Sequence, residues 1–356
     1  MVLRVGTDNA ALDWLDDVER AGGRQDCAAS CGPAARSIGW STSRPTIIWV
    51  SSGTPRWFDG AVDAVRRWGG GATGSACVTG TTSDHELLER GELASFVGAE
   101  SGLVSQAEDA AISCSDRAFG PGCADRVGRR LSRLTRDACR LSRARVVVAP
   151  HADVDFLRRA LAERAEERAL VLTDSVFSAD GDLAPLADMH RVCRDHGAVL
   201  LVDEAHGIGV RGRGGRGLVH EMGLGRGTGR RRHRDTVEVS REPGWCGTRV
   251  AESPAHLIDA ARTFIFDTGL APAAVGAARA ALSVLRREPQ RATAVLDRAR
   301  DLARITGAAA PESAVVSVVL GDPEWRSRPR RPAGIAACTW AVSAHRPSRR
   351  ARRACV

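Results

Sequence analysis

Residues 171–218, VLTDSVFSADGDLAPLADMHRVCRDHGAVLLVDEAHGIGVRGRGGRGL, constrain the fold more than any other stretch of the chain. An apolar run at residues 170–172 stops at Asp174, and a polar loop follows it. Residues 186–196 then place apolar side chains at helical spacing, and a second apolar run occupies residues 198–202. A strand, a helix and a buried strand in this order predict a βαβ unit, which implies a parallel sheet.

Polar side chains follow both predicted strands at their carboxyl ends. Ser178 lies in the loop after the first strand, and Asp203 and His206 come directly after the second. Ligands of open parallel sheets bind beyond the carboxyl ends of the strands. The sequence therefore predicts a binding site that includes these three side chains. Taken singly, each has a simpler interpretation, as a solvated loop residue or a histidine with an ordinary structural hydrogen bond.

Two motifs in this region resemble those of a known enzyme group. They are V-F-S-x-D-G-D-x-A-P at residues 176–185 and L-V-D-E-A-H-G-x-G-V-x-G-x-x-G-R-G at residues 201–217. The chain resembles the α-oxoamine synthases, which are fold-type I enzymes that depend on pyridoxal 5′-phosphate. The likeness recurs at residues 70–98, 137–223 and 255–321.

This resemblance implies an α/β fold of type I. A large domain carries a mostly parallel seven-stranded sheet, and a smaller α/β domain follows it at the C-terminus. Residues 1–40 would form an N-terminal helix and arm, and residues 41–275 the large cofactor-binding domain. Residues 276–356 would form the small domain, truncated or out of frame after about residue 322. Members of the group form homodimers in which the two subunits share the active site.

The resemblance also implies a role for each candidate residue. Asp203 would pair with the pyridine nitrogen of the cofactor and keep it protonated, which makes the ring an electron sink for a substrate carbanion. His206 would hydrogen-bond the phenolic oxygen of the cofactor, and Ser178 would contact the cofactor nearby. Thr268, in the segment FIFDTGLAP, matches a segment that reaches the cofactor phosphate of the neighbouring subunit.

Within this group, the chain most resembles the enzymes that condense L-alanine with a pimeloyl thioester, carried by CoA or by acyl carrier protein. Carbon dioxide and the free thiol carrier leave. Synthases and ligases that use glycine remain the alternative within the group. Ala76 stands where an arginine usually follows Gly-Ser, so a residue that contacts the substrate is missing at that position.

The chain contains no lysine, because all 51 basic residues are arginine. Enzymes of this group need a lysine amine to hold the cofactor as a Schiff base and to move protons. Arginine cannot replace it, since a guanidinium stays protonated and is not nucleophilic near neutral pH. The sequence therefore predicts that the central catalytic residue is absent and that activity is impaired.

Family-like stretches alternate with stretches rich in Arg, Cys and Trp that begin near residues 23, 104, 225 and 322. Reverse translation of residues 235–250, shifted one nucleotide later, permits T-L-S-K-S-L-G-S-Q-G-G-A-V-L-G, the lysine motif of the group. The lysine codon would straddle Glu238 and Val239. Shifted frames also permit family-like sequence at residues 43–51, 127–135 and 340–356. This pattern indicates several compensating frameshifts and predicts that the shifted stretches are irregular.

Composition supplies the remaining expectations. No apolar run approaches the roughly 18 residues of a membrane span, and no signal-peptide pattern is present, so a cytoplasmic protein is expected. Ten cysteines in such a chain indicate reduced thiols. Cys27 and Cys31 are not followed by a second pair at metal spacing, so no metal site is expected.

A basic tail at residues 325–356 carries nine arginines and no acidic residue, against a net charge of +8 for the whole chain. Such tails are typical of nucleic-acid or anionic-membrane binding, so a non-catalytic basic protein is an alternative, as is the inactive product of a damaged gene. Residues 207–212 match a dinucleotide fingerprint only formally, because more glycines follow them rather than a helix, and residues 211–217 resemble an arginine-glycine segment that binds RNA. They lie inside the family motif, and no specific nucleic-acid partner is expected.

Overall fold

The computed structural model describes residues 55–105, 123–128, 139, 144–224, 237–240, 245–248, 257–259, 261–319, 342–343 and 354–355. All of them belong to one compact unit of the chain, Arg44–Pro332 with Thr339–Val356. Within these ranges, no helix is long and apolar enough to cross a membrane. The predictions for residues 1–54, including the N-terminal helix and arm, fall outside the described ranges.

Seven of the described strands form one sheet. They are β1 (Ser101–Val104), β2 (Cys123–Gly128), β3 (Arg145–Ala149), β4 (Arg168–Asp174), β5 (Val199–Asp203), β6 (Val237–Ser240) and β7 (Trp245–Thr248). Their spatial order is β1-β7-β6-β5-β4-β2-β3. Strand β7 runs antiparallel to both of its neighbours, and the other pairs are parallel. The predicted mostly parallel seven-stranded sheet is confirmed.

The helix predicted over residues 186–196 is one of nine described α-helices that accompany the sheet. They are α1 (Pro55–Trp68), α2 (Ser83–Glu86), α3 (Ala94–Val97), α4 (Val154–Ala162), α5 (Leu186–Asp195), α6 (Leu218–Glu221), α7 (Arg262–Ile265), α8 (Pro272–Arg287) and α9 (Gln290–Thr306). Two π-helical segments, Ala76–Gly80 and Leu87–Leu93, lie in the first part of this series. The helical spacing of apolar residues over 85–97 predicts one helix, and the second π-helical segment, which joins α2 to α3, gives that helix a widened central turn.

The buried cores follow from these amphipathic elements. Val171 and Leu200, from the two central strands, share one buried cluster with Leu186 of helix α5. A second cluster joins the helical stretch around Leu88 to Val275 of helix α8. The βαβ unit is therefore confirmed, with its helix packed against the two strands that it connects.

The prediction that the shifted stretches are irregular is wrong for three of them. Strands β2, β6 and β7 lie in those stretches and join the main sheet, and Trp245 begins β7. The shifted stretch after residue 322 also contains strands, because β9 (Val342–Ser343) and β10 (Ala354–Cys355) pair in a small sheet. Backbone groups of any sequence gain ladder hydrogen bonds from a neighbouring strand, so a weak sequence pattern does not exclude a strand. Cys114 and Trp340 lie outside the described residues.

The largely apolar residues 313–320 predict a strand, and the structure confirms only its last part. Only β8 (Val318–Val319) is a strand, and it pairs with β10. The preceding residues, 313–317, are buried or half-buried without being extended into a ladder. The hydroxyl groups of Ser313 and Ser317 instead bond to backbone carbonyls of the loop that follows β4.

Candidate active site

Two carboxylates mark the carboxyl ends of the central strands. Asp174 ends β4 and Asp203 ends β5, and their Cα atoms are direct partners in the parallel register. Both side chains are buried, at 4% and 6% exposure. The Oδ1 atom of Asp203 accepts a hydrogen bond of 2.8 Å from the backbone N–H of Ala205. A buried acceptor thus lies at the edge of the sheet where ligands of this architecture bind.

Ser178 lies at the tip of a short hairpin that begins beside Asp203. The backbone N–H of Ser175 donates to the carbonyl of Asp203 at 2.8 Å, and Val176 bridges Leu183 across the hairpin. Ser178 is half-buried in the turn. The loop after β4 therefore starts next to the carboxylate that ends β5, as the strand directions predict.

His206 follows Asp203 within a tight turn whose geometry depends on Glu204. Glu204 is buried, and its two carboxylate oxygens accept hydrogen bonds from the backbone N–H groups of Leu218 and Val219 at 2.9 and 2.8 Å. Burial raises the pKa of Glu204 to about 7, although the two N–H groups oppose that shift. The position of Glu204 between Asp203 and His206 is visible in the sequence, but its structural task is not.

His151 was not predicted as a site residue. It follows strand β3, and its Nε2–H donates to the Oδ2 atom of Asp182 at 2.6 Å. Its ring meets Phe177 edge-on, with 4.3 Å between the ring centroids. Because Phe177 and Asp182 flank the hairpin tip, His151 supports one side of the loop that carries Ser178. Its place directly after an apolar strand was the available sequence signal.

Thr268 lies in a separate part of the described structure, beside residues 69–80, here named the glycine loop. It forms an antiparallel bridge with Ser75, and the backbone N–H of Gly269 donates to the carbonyl of Gly74 at 3.0 Å. A Cβ atom on Gly269 would lie 2.7 Å from the carbonyl oxygen of Gly80, so this close approach requires glycine. The contacts of Thr268 are thus with the glycine loop, whereas Ser178, Asp203 and His206 share the sheet edge.

His85 fixes the Thr268 segment to the helices. Its Nδ1 accepts from the backbone N–H of Thr82 at 3.2 Å, so Nε2 carries the proton and donates to the carbonyl of Leu270 at 2.8 Å. Burial lowers the pKa of His85, against opposing effects of the Leu270 carbonyl and Asp84. The native state therefore holds this imidazole neutral.

We expect His85 to lower the free energy of unfolding as the pH falls into the acid range. Since its pKa is lower in the folded than in the unfolded chain, its contribution is complete above about pH 6.5 and is lost as the pH falls through the folded value. His85→Ala should remove this acid-side loss and cost about 1–3 kcal/mol at pH 7.5, because Leu270 loses its donor. Urea unfolding between pH 5 and 8 measures both effects. His196→Ala, at a half-buried helix end, is the control, and equal pH slopes for His85→Ala and the parent chain would contradict the assignment.

The position at which the shifted frame would encode a lysine falls at the same sheet edge. Strand β6 pairs with β5 in parallel, with Glu238 opposite Val202 and Val239 opposite Asp203. These are the two residues that the lysine codon of the shifted frame would straddle. A lysine at this point would lie on the strand next to Asp203.

The gene sequence tests this placement directly. We expect the nucleotides encoding residues 235–250 to spell T-L-S-K when they are translated one base later. Insertions or deletions of single nucleotides should lie near residues 23, 104, 225 and 322 relative to intact relatives. Resequencing of the gene and its transcript measures this, and any other sequence over those codons would exclude the frameshift explanation.

The donor set at the edge fits pyridoxal phosphate in part. A buried carboxylate, an imidazole and a hydroxyl can hold a pyridine nitrogen, a phenolic oxygen and a polar substituent. A primary amine for covalent attachment is missing from the side chains of the whole sequence. Among the described residues, no group of three or more His, Cys, Asp or Glu side chains could hold a metal ion.

One described cavity lies apart from the predicted site residues. It has an empty volume of about 390 Å³, and its lining includes Pro150, Leu157, Thr173, Phe177 and Met189. None of the four predicted site residues lines it, and its walls are mostly apolar. The candidate site is therefore assigned from the strand ends and not from this cavity.

Comparison with known proteins first defines the class. Residues 46–224 match the family profile of aminotransferase class I and II. A serine palmitoyltransferase from S. paucimobilis, solved with pyridoxal phosphate and myriocin bound, superposes with a TM-score of 0.68 at 26% identity, covering 76% of this chain and 70% of that one. An 8-amino-7-oxononanoate synthase from Francisella tularensis shares the fold, with a TM-score of 0.64 at 16% identity over 85% of this chain and 86% of that one.

Curated relatives indicate which family within this class the chain belongs to. The 8-amino-7-oxononanoate synthase of Mycolicibacterium smegmatis is 55% identical, over 88% of this chain and 82% of its own length. The chain therefore belongs to the 8-amino-7-oxononanoate synthase family, within aminotransferase class I and II.

Proposed function

We propose that this chain carries the site of an 8-amino-7-oxononanoate synthase of biotin biosynthesis. The reaction is the decarboxylative condensation of L-alanine with a pimeloyl thioester of CoA or acyl carrier protein, a C-acyl transfer dependent on pyridoxal 5′-phosphate. The observation that carries the proposal is the position of Asp203. It ends a central parallel strand, buried, with the Ser178 loop on one side and strand β6 on the other.

Each site residue has a defined task in this proposal. Pyridoxal phosphate, when bound, supplies an electron sink at the carbon that loses its carboxylate. Asp203 binds the pyridine nitrogen and keeps a proton on it. His206 donates to the phenolic oxygen and orients the ring, while Ser178 contacts the cofactor at the hairpin tip. Thr268 reaches the phosphate in a partner subunit.

The substrates are tested with the gene restored to one frame. We expect the restored enzyme, loaded with pyridoxal phosphate, to release thiol from pimeloyl-CoA with L-alanine at least tenfold faster than with glycine. Asp203→Ala in the same protein should remove the activity, and Glu167→Ala, at an exposed position, should not. Faster turnover with glycine and a short acyl thioester would assign the chain to the glycine-using alternative.

Homodimer formation belongs to the same proposal, because Thr268 acts on a partner's cofactor. Two large apolar side chains near Thr268 are exposed, Val78 at 79% and Phe266 at 70%. Exposed apolar area beside a functional segment is typical of a surface that a partner covers.

We expect light scattering to give a mass of twice the 37.8 kDa chain. Phe266→Asp should shift the protein toward monomer, because a carboxylate in the interface is desolvated without a partner. Ile305→Asp, at an equally exposed site on helix α9, is the control. A mass unaffected by Phe266→Asp would exclude this surface from the dimer.

Three further expectations, on location, domain boundary and nucleic-acid binding, are also proposals. We infer a cytoplasmic location, and a large domain that ends near residue 275 with a small domain beyond it, although helix α8 (Pro272–Arg287) runs across that boundary. Binding of nucleic acid by the tail at residues 325–356 should be weak and should fall steeply with salt, because neutralised phosphates release counterions.

A further inference from the structure

The loop that carries Ser178 accepts hydrogen bonds from a segment outside the main sheet. Within the hairpin, the N–H groups of Phe177 and Gly181 bond to the carbonyls of Asp182 and Phe177, at 2.9 and 2.8 Å. The carbonyls of Ala179 and Gly181 turn outward at the tip. Each accepts a hydrogen bond from a side chain far along the chain, Ser317 Oγ at 2.7 Å and Ser313 Oγ at 2.9 Å.

Ser313 is the centre of this contact. Its side chain is fully buried, at 0% exposure. Its hydroxyl donates to the carbonyl of Gly181 and accepts from the backbone N–H of Val315 at 3.2 Å. Gly181 has a φ of +75°, and a Cβ there would lie 2.6 Å from the carbonyl oxygen of Val315. The backbones of Gly181 and Val315 are therefore in direct contact.

The same segment also contacts the loop after β5. Arg211 donates from Nη1 to the carbonyl of Glu312 at 2.9 Å, and its Nη2 forms an ion pair with Glu221. Arg211 belongs to the glycine-rich loop that starts from Asp203 and His206. Residues 312–317, here named the brace, thus touch both loops that bear the candidate cofactor contacts.

We propose that the brace is a positioning element of the cofactor site, with Ser313 as its principal positioning residue. It fixes the position of the Ser178 loop relative to Asp203, so that the side chains of Ser178 and Asp203 contact the same ligand. The proposal rests on the cofactor site of the proposed function and adds to it a dependence on residues near the C-terminal end of helix α9.

Non-covalent binding of pyridoxal 5′-phosphate to the full chain tests the brace. The chain has no lysine, so its α-amino group is its only primary amine, and dialysis therefore measures the non-covalent site almost without competing adducts. Borohydride reduction followed by mass spectrometry corrects for the terminus. Ser313→Ala should raise Kd about 2- to 10-fold, as expected for loss of one hydrogen bond. Ser283→Ala on the exposed face of α8 is the control.

A double-mutant cycle separates positioning from stability. If Ser313 acts through Ser178, then Ser313→Ala should have no further effect on Kd in a Ser178→Ala background, while its effect on the melting temperature persists. The circular dichroism of bound cofactor should change in both single variants. Additive effects on Kd, or an unchanged Kd in Ser313→Ala when Ser178→Ala and Asp203→Ala both weaken binding, would overturn the proposal.

Two outcomes distinguish this proposal from the one on which it rests. Unchanged binding in Asp203→Ala, or no binding by the parent chain, would remove the cofactor site itself and the brace with it. If Ser313→Ala does not fold, Ser317→Ala replaces it, because the half-buried Ser317 makes the equivalent bond to Ala179. The same cycle with Ser178→Ala then decides the question.

Discussion

The chain as it stands is expected to show no detectable condensation of L-alanine with pimeloyl-CoA. It has no lysine, and an arginine guanidinium neither attaches the cofactor nor accepts a proton near neutral pH. Loss of a general base alone typically costs about 10²–10⁴-fold in rate, and loss of covalent attachment adds to that. Thiol release and carbon dioxide release measure the turnover, and borohydride reduction with mass spectrometry measures covalent cofactor.

Restoration of the frame over residues 235–250 supplies the contrasting protein. It introduces a lysine at the point where β6 runs beside Asp203. We expect borohydride-trapped cofactor at that lysine, and turnover once the other shifted stretches are also restored. The matched control is the restored chain with arginine encoded in place of that lysine, which should trap none. Turnover by the unrestored chain would show that the catalytic lysine has been wrongly assigned.

Glu204→Ala is expected to destabilise the native state by about 2–6 kcal/mol. The substitution leaves the N–H groups of Leu218 and Val219 buried without an acceptor, and each costs about 1–3 kcal/mol. Gly207 and Gly217 also lie against the carboxylate, so the loop between them loses its packing partner. Urea unfolding measures the loss, and Glu167→Ala at an exposed position is the control.

The pH dependence of Glu204 provides an independent check. Its pKa is raised to about 7, so the folded chain keeps a proton that the unfolded chain releases near its ordinary value. The contribution of Glu204 to the free energy of unfolding is therefore complete below about pH 4.5 and is lost as the pH rises through about 7. Glu204→Gln should flatten this part of the stability profile while retaining one acceptor. A slope unchanged between pH 5 and 8 would contradict a buried, protonated Glu204.

The local pattern determined the central part of the fold. Apolar runs and helical spacing predicted β4, α5 and β5, because side-chain periodicity follows directly from backbone geometry. The parallel direction of the strands then brought the Ser178 loop and Asp203 to one edge. The absence of lysine was visible from composition alone.

Tertiary structure decided what no local pattern contains. Strands β6 and β7 form in stretches with little pattern because neighbouring strands supply their hydrogen bonds. Thr268 pairs with the glycine loop, and Ser313 bonds to Gly181, across separations that periodicity does not encode. Residues 313–320 are apolar enough to predict a strand, yet the hydroxyl groups of Ser313 and Ser317 are bonded to the Ser178 loop instead. The sequence alone determined strands β4 and β5 and the sheet edge that carries the chemistry, whereas only long-range contacts decided which segments hold that edge in position.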